Sequence, residues 1–293
     1  MTAIPIIDAD LLQTLPLPQP TAGSKEERGR VCIIGGSREV PGAVLLAAMG
    51  ALRAGAGKLQ VATVESRAAS LAIAMPEALV IGVQETPAGG VQAGAIDSMA
   101  ARWSNSHAML VGPGMVEEQD THQILKFLLD SIGEAILVVD AGALPQITDL
   151  GGNLHLHAGR IIITPHAGEM ANLLGVNKDV VEADPTSAAL QLTEDFGLIV
   201  IMKGSQTVIT APNGVWRYEG GGFGLATSGS GDVLAGIVAG LAARGTKPEA
   251  AAMWGVFLHG EAGSRLSTRV GPLGFLAREI PDLIPKLMSE TGS

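Results

Sequence analysis

An aspartate at the mouth of a glycine-rich turn is the residue of this chain best placed to do chemistry. In the run from Gly220 to Gly240, GGGFGLATSGSGDVLAGIVAG, small residues break directly into an apolar helical pattern with Asp232 at the junction. Gly229, Ser230 and Gly231 leave the backbone bare, so their N–H groups can crowd around an anion, and a helix beginning near Asp232 adds the positive end of its dipole. Asp232 then stands where a hydroxyl nucleophile needs a proton acceptor, the arrangement of a phosphoryl-transfer site. Ser230 as N-cap and Asp232 in the first turn would also suit a plain helix start, but capping needs one small polar residue and no run of glycines. An ordinary Asp carboxyl, with a pKa of about 3.9, is a weak base for an alcohol, so the proton is expected to move late and the N–H groups to supply much of the rate.

Other residues that could touch a ligand recur just after apolar, β-branched runs. Gly35-Gly36-Ser37 lacks the third glycine of a dinucleotide fingerprint, so it is read as a turn or a substrate-lining loop, with Pro41-Gly42-Ala43 opening the next helix. Gly112-Pro113-Gly114 is stiffened by proline and opened by glycine. In ITPHAGEM, His166 and Glu169 flank a helix start; His166 is either a cap or a ligand contact, and Glu169 could act through water on a metal. His166 is itself in no HxxxH or HxH pair, which argues against structural zinc there, and the acids suit magnesium held by water and phosphate. Lys203-Gly204-Ser205-Gln206-Thr207 brings a cation and hydroxyls that could hold a nucleotide, at a spacing that excludes a Walker-type P-loop.

These residues need a sheet to present them. Short apolar runs at Val31–Ile34, Leu59–Val64, Leu79–Gly82, Met109–Gly112, Ile136–Asp140, Ile161–Thr164 and Leu198–Met202 alternate with helical periodicity at Ala43–Ala54, Gln119–Leu129, Ser187–Phe196, Gly231–Ala243 and Pro248–Leu266. The alternation predicts an α/β fold with a mostly parallel sheet covered on both faces. Thr207–Thr210 and Val215–Tyr218 flank Asn213-Gly214, a hairpin signal that makes part of the sheet antiparallel. Ligands of such sheets bind beyond the carboxyl ends of the strands, where the candidates fall.

The 293 residues are 47% apolar and only 3% aromatic, which suits close helix-on-sheet packing. A net charge of −10 gives no attraction to nucleic acid or anionic membrane. No apolar run approaches the roughly 20 residues of a membrane span, and MTAIPIIDADLLQTLPLPQP lacks the basic start of a signal peptide, so a cytoplasmic protein is expected. Cys32, in a strand-like run, is expected to be a buried structural thiol. No linker divides the chain, which is read as one domain over residues 1–293 with an N-terminal arm over 1–28.

Taken together, the segments GRVCIIGGS, PGAVLLAAMGALRAGAGKLQVAT, VGPGM, VVDAGAL, ITPHAGEM, VIMKGSQTVI and LATSGSGDVLAGIVAGL resemble the ribokinase-like superfamily. Within it they are most similar to the ADP-dependent NAD(P)H-hydrate dehydratase family (the YjeF C-terminal domain family), from about Gly29 to Leu266. The resemblance implies a ribokinase-like three-layer α/β/α sandwich. It implies dehydration of the (S)-epimer of hydrated NADH or NADPH (NADHX, NADPHX), driven by ADP or ATP with Mg2+, and release of AMP and phosphate when ADP is the donor. It implies Asp232 as base in an anion hole with Gly229 and Gly231. Ala43, Gly112, Gly114 and His166 would line the substrate, Lys203, Gly204, Ser205, Gln206, Thr207 and Gly231 the nucleotide, and Glu169 would support magnesium.

The family's usual AsnProGlyMetAlaThrGlyGlyThrGlyAsp becomes Gly222 to Asp232 here. This loses an Asn at Gly222 and exchanges Thr for Ser230, while Gly142 stands where an Asp is frequent. The resemblance further implies a homo-oligomer, often a tetramer, and, because an epimerase domain does not fit in the roughly thirty residues before the first strand, a separate epimerase. Two other readings stay open: a small-molecule kinase similar to the hydroxymethylpyrimidine or hydroxyethylthiazole kinases, and a silent nucleotide-binding module.

Overall fold

Strands buried on both faces read as unbroken apolar runs, and VCII, AMLV and ILVV do so because helices cover both sides of the sheet. The computed structural model describes residues 3–19, 27–116 and 118–292. Its strands are β1 (Arg30–Ile34), β2 (Lys58–Val64), β3 (Ala78–Val83), β4 (Ala108–Val111), β5 (Ile136–Val139), β6 (Ile161–Ile163), β7 (Ile199–Met202), β8 (Thr207–Ala211) and β9 (Gly214–Tyr218). They form one sheet in the order β3-β2-β1-β4-β5-β6-β7-β8-β9. The pairs from β3 to β7 are parallel, and β7-β8 and β8-β9 are antiparallel. This is the mostly parallel sheet with a terminal hairpin that the residue pattern predicts.

The helices are α1 (Ala9–Gln13), α2 (Pro41–Arg53), α3 (Glu65–Ala74), α4 (Ala93–Asp97), α5 (Glu118–Ser131), α6 (Gly152–His155), α7 (Ala167–Leu174), α8 (Lys178–Ala183), α9 (Pro185–Phe196), α10 (Ser230–Ala243), α11 (Pro248–Arg269) and α12 (Ile284–Thr291). Alternate strand residues serve opposite layers, completing the three-layer sandwich. Val31 and Ile33 join the core under α2, α10 and α11, whereas Cys32 and Ile34 join the one under α5, α7 and α9. Burial pushes the Cys32 thiol up to about 12, so it stays protonated and inert as expected.

The abundance of Ala and Gly has its use where α2 crosses α10. A Cβ on Gly236 would lie 2.0 Å from the Ala47 carbonyl oxygen, and one on Gly240 would lie 2.4 Å from that of Ala51. Only bare backbone lets these two helices touch. The end of α10 reaches the start of β1, since a Cβ on Gly29 would strike the Ala243 carbonyl. Its beginning lies near Lys203, just past β7. The positive end of α10 is therefore at the carboxyl edge of the sheet.

Gly112, Asp140 and Thr164, expected as strand ends, lie one residue beyond β4, β5 and β6 and turn into the site. Helix α3 and the short helices α4, α6 and α8 had no counterpart in the periodicity. Residues 3–19 pack on the domain: the Ile7 N–H donates to the Arg217 carbonyl (2.7 Å), Leu12 is buried, and Trp254 Nε1 donates to the Leu15 carbonyl (2.8 Å). Residues 1–2 and 20–26 of the arm expected over 1–28 lie outside the described residues. Among the described residues, no helix is long and apolar enough to cross a membrane.

Candidate active site

Asp232 is the third residue of α10, and Gly229 is the N-cap, in the left-handed region (φ 85) with no side-chain cap. The backbone conformation favours glycine here, and a Cβ would also have to displace the end of the Leu46 side chain, whose Cδ1 lies 2.3 Å away. The expectation of three bare amides needs one correction. The Ser230 N–H donates to the Thr227 carbonyl (3.2 Å), because the turn before the helix closes on itself. Among the described residues, the N–H groups of Gly229, Gly231 and Asp232 have no backbone acceptor, and these form the cradle. Ser230 is not a cap either: its Oγ lies 2.9 Å from the Nε2 of buried His259.

Below the cradle sits one cation among three carboxylates. Lys203 Nζ is 3.2 Å from Asp140 Oδ1 and 3.7 Å from Glu169 Oε2. Asp140 is itself buried and accepts from Thr164 Oγ1 at 2.5 Å. Burial alone would push the Lys203 ammonium down, but Asp140, Glu169 and Asp232 outweigh it and hold Lys203 above its usual value. Asp232 is also raised, despite the cation beside it. Burial first, then the charges of Asp140 and Glu169, raise it to about 6 against the opposing pull of Lys203. The expectation of an ordinary, weakly basic aspartate is thus overturned by its surroundings.

Next to Asp140, Ala141 has φ 48, the one non-glycine positive φ among the described residues. Such an outlier persists only where its neighbours hold it. The two glycine loops expected near a ligand meet where strand order reverses between β1 and β4, and the Gly36 N–H donates to the Pro113 carbonyl (2.7 Å). Gly112 packs on the Asp140 carbonyl, 1.7 Å from where its Cβ would be, and Gly114 packs against Val40 and Ala43. Ala43 is largely buried by this contact.

His166 caps α7. Its Nδ1 accepts from the Gly168 and Glu169 N–H groups (3.0 and 3.2 Å), and Glu169 Oε2 accepts in return from the His166 N–H (2.8 Å). With Nδ1 an acceptor, a neutral His166 carries its proton on Nε2, which lies 3.5 Å from Glu169 Oε1. Gly204, Ser205 and Gln206 are exposed at the bend between β7 and β8, while Lys203 points to the carboxylates. Among the described residues, no cluster of three His, Cys, Asp or Glu side chains could enclose a metal. That donor set fits magnesium only as an ion held mainly by phosphate and water, with Glu169 in outer contact.

The positions that depart from the family pattern differ in the room they leave. At Gly222 (φ 69) a Cβ meets nothing nearer than Ser267 Oγ at 3.9 Å, whereas at Gly142 it would lie 2.1 Å from the Met115 carbonyl oxygen. Asn tolerates the left-handed region. Gly222→Asn is therefore expected to change stability by less than about 1 kcal/mol, and Gly142→Asp to cost about 1–3 kcal/mol or more through backbone displacement. Urea unfolding of both variants checks this.

Asp140 stood at a strand exit in the sequence without a role, and His259 went unmarked. A histidine inside the helical run MWGVFLHGEAG carries no local signal, since only the fold brings it to Ser230.

The chain is similar to known proteins over nearly all of its length. The family model for NAD(P)H-hydrate dehydratase matches residues 31–286. The chain is 48% identical over 286 residues to the ADP-dependent (S)-NAD(P)H-hydrate dehydratase of Xanthomonas campestris, covering 96% of this chain and 95% of that one. It is 36% identical to the bifunctional NAD(P)H-hydrate repair enzyme of Moorella thermoacetica, covering 93% of this chain and only 52% of the relative. Among solved structures, the ADP/ATP-dependent NAD(P)H-hydrate dehydratase of Bacillus subtilis, co-crystallised with ATP and Mg2+ and soaked with CoA, superposes with a TM-score of 0.81 at 25% identity, covering 99% of this chain and 100% of that one.

Proposed function

The chain belongs to the NAD(P)H-hydrate dehydratase family, and on that premise we propose that it repairs the (S)-epimers of hydrated NADH and NADPH in an ADP-dependent hydro-lyase reaction centred on Asp232. The observation that carries the reading is the coincidence of three unpaired N–H groups with a carboxylate raised to about 6 at the same helix start. The first attracts a phosphoryl group, and the second accepts the proton of the hydroxyl that attacks it.

The steps balance. The ring hydroxyl oxygen bonds to the terminal phosphorus of ADP, the bridging P–O bond breaks, AMP leaves, and the hydroxyl proton passes to Asp232. Phosphorylation turns hydroxide, a poor leaving group, into phosphate. The ring nitrogen's electron pair then expels phosphate from carbon, and loss of a proton from the neighbouring carbon leaves NAD(P)H. The N–H groups of Gly229, Gly231 and Asp232 stabilise the charge on the moving phosphoryl group. Lys203 keeps Asp232 from rising further, so that it stays ionised near neutral pH.

Gly204, Ser205, Gln206 and Thr207 hold the nucleotide with Gly231, and the loops at Gly112–Gly114 and Ala43, with His166, line the substrate. When bound, magnesium neutralises phosphate charge, and Glu169 is the residue to hold it through water. Residues 1–293 are treated as one domain, because a single sheet runs through the described strands. A separate epimerase is proposed to serve the other epimer, and the chain spans about half the length of the relative named bifunctional.

Incubation of the purified protein with hydrated NADH, Mg2+ and ADP tests the proposal. Recovery of the reduced-nicotinamide absorbance with one AMP and one phosphate per turnover is expected. Accumulation of a stable phosphorylated product would make it a kinase instead, and nucleotide binding without turnover would make it a silent module.

A further inference from the structure

His259 has no place in the chemistry above, yet it is buried against Ser230, at the start of the helix that carries the cradle. It comes from the middle of α11 and places Nε2 2.9 Å from Ser230 Oγ and 3.1 Å from the Ser230 carbonyl oxygen. An imidazole nitrogen meets a carbonyl oxygen favourably only as a donor, so Nε2 carries the proton. Burial holds the ring down to about 4, so it is neutral at physiological pH. The contact thus adds direction and no net charge.

The Ser230 carbonyl and the Gly231 N–H belong to one planar peptide group. A hydrogen bond donated to that oxygen draws electron density toward it and leaves the N–H more positive, the cooperative effect of linked hydrogen bonds. That N–H is one of the three unpaired donors of the cradle. The contact with Oγ fixes the serine rotamer at the same time, so the first turn of α10 is held from its buried side.

We propose that His259 is a positioning residue for phosphoryl transfer, which fixes and polarises the Ser230–Gly231 peptide so that its N–H stabilises the transferring group. The inference rests on the function proposed above, through the role it gives the Gly231 N–H. The residue is buried and acts through the Ser230–Gly231 peptide, so its effect belongs to kcat and not to nucleotide affinity.

The test compares His259→Met, which keeps the volume and removes the donor, with His259→Gln, whose amide nitrogen reaches the same place. In His259→Met, kcat for hydrated NADH is expected to fall about tenfold or more with KM for ADP within about threefold, less than the loss of a whole oxyanion donor. In His259→Gln, kcat is expected within about threefold of the starting protein. The Gly231 amide proton resonance should move upfield in His259→Met and return in His259→Gln.

A kcat for His259→Met within twofold of the starting protein overturns the proposal, as does an unmoved Gly231 resonance, or a His259→Gln as slow as His259→Met. If His259→Met does not fold, His259→Asn, too short to reach, takes its place against His259→Gln with the same expectations. If the unmodified protein fails to regenerate NADH, it is the proposed function that falls. The Gly231 resonance, which needs no substrate, then decides the His259 contact alone.

Discussion

Asp232→Asn is expected to lower kcat for hydrated NADH by about 100 to 10,000-fold, the range for loss of a positioned general base, while the affinity for ADP changes by less than about threefold. The amide is isosteric and leaves the Gly229, Gly231 and Asp232 N–H groups in place, so binding of the nucleotide survives. A second signature separates a base from a merely polar contact. With Asp232 raised to about 6 by burial and by Asp140 and Glu169, the unmodified protein has its base ionised above that pH and protonated below it. The rate should therefore fall as pH drops through about 6, and the residual rate of Asp232→Asn should lose that limb. Steady-state kinetics between pH 5 and 8 with isothermal titration of ADP provide both measurements; an active Asn variant, or one that keeps the limb, removes Asp232 from its role.

The fold was legible because most strands are short, β-branched and buried, a pattern that survives reading one residue at a time. All of β1 to β9 fall on apolar runs visible in the sequence, and even the hairpin turn is signalled by Asn213-Gly214. Helix α3 was not legible, since it buries only Leu71 and so lacks an apolar stripe. In the site, the strand-exit rule located Gly35, Gly112, Asp140, His166 and Lys203, because backbone topology alone brings them to one edge. What it could not supply is pairing at long range. Lys203 reaches Asp140 across 63 positions and His259 reaches Ser230 across 29, and nothing local to either residue marks the partner. The basicity of Asp232 was hidden for the same reason, being set by burial and by charges brought in from three other elements.

Those charges predict opposite responses to two substitutions that both break the same ion pair. Lys203→Met removes the one cation that lowers Asp232, so the acid limb of the rate profile should move to higher pH. Asp140→Asn removes a carboxylate that raises it, so the limb should move to lower pH, even though the Lys203 contact is weakened in both. Stability separates them as well. The side chain of Asp140 is 2% exposed, and Lys203→Met leaves its charge without a cation, a change that costs about 3–5 kcal/mol where one partner of a buried pair is removed. Asp140→Asn keeps an acceptor for Thr164 and leaves Lys203 the Glu169 carboxylate at 3.7 Å, so its cost should be smaller. Urea denaturation and pH profiles on the two variants read both effects. Limbs that move in the same direction would mean that Asp232 does not sense this pair, and the electrostatic account of its basicity would have to be abandoned.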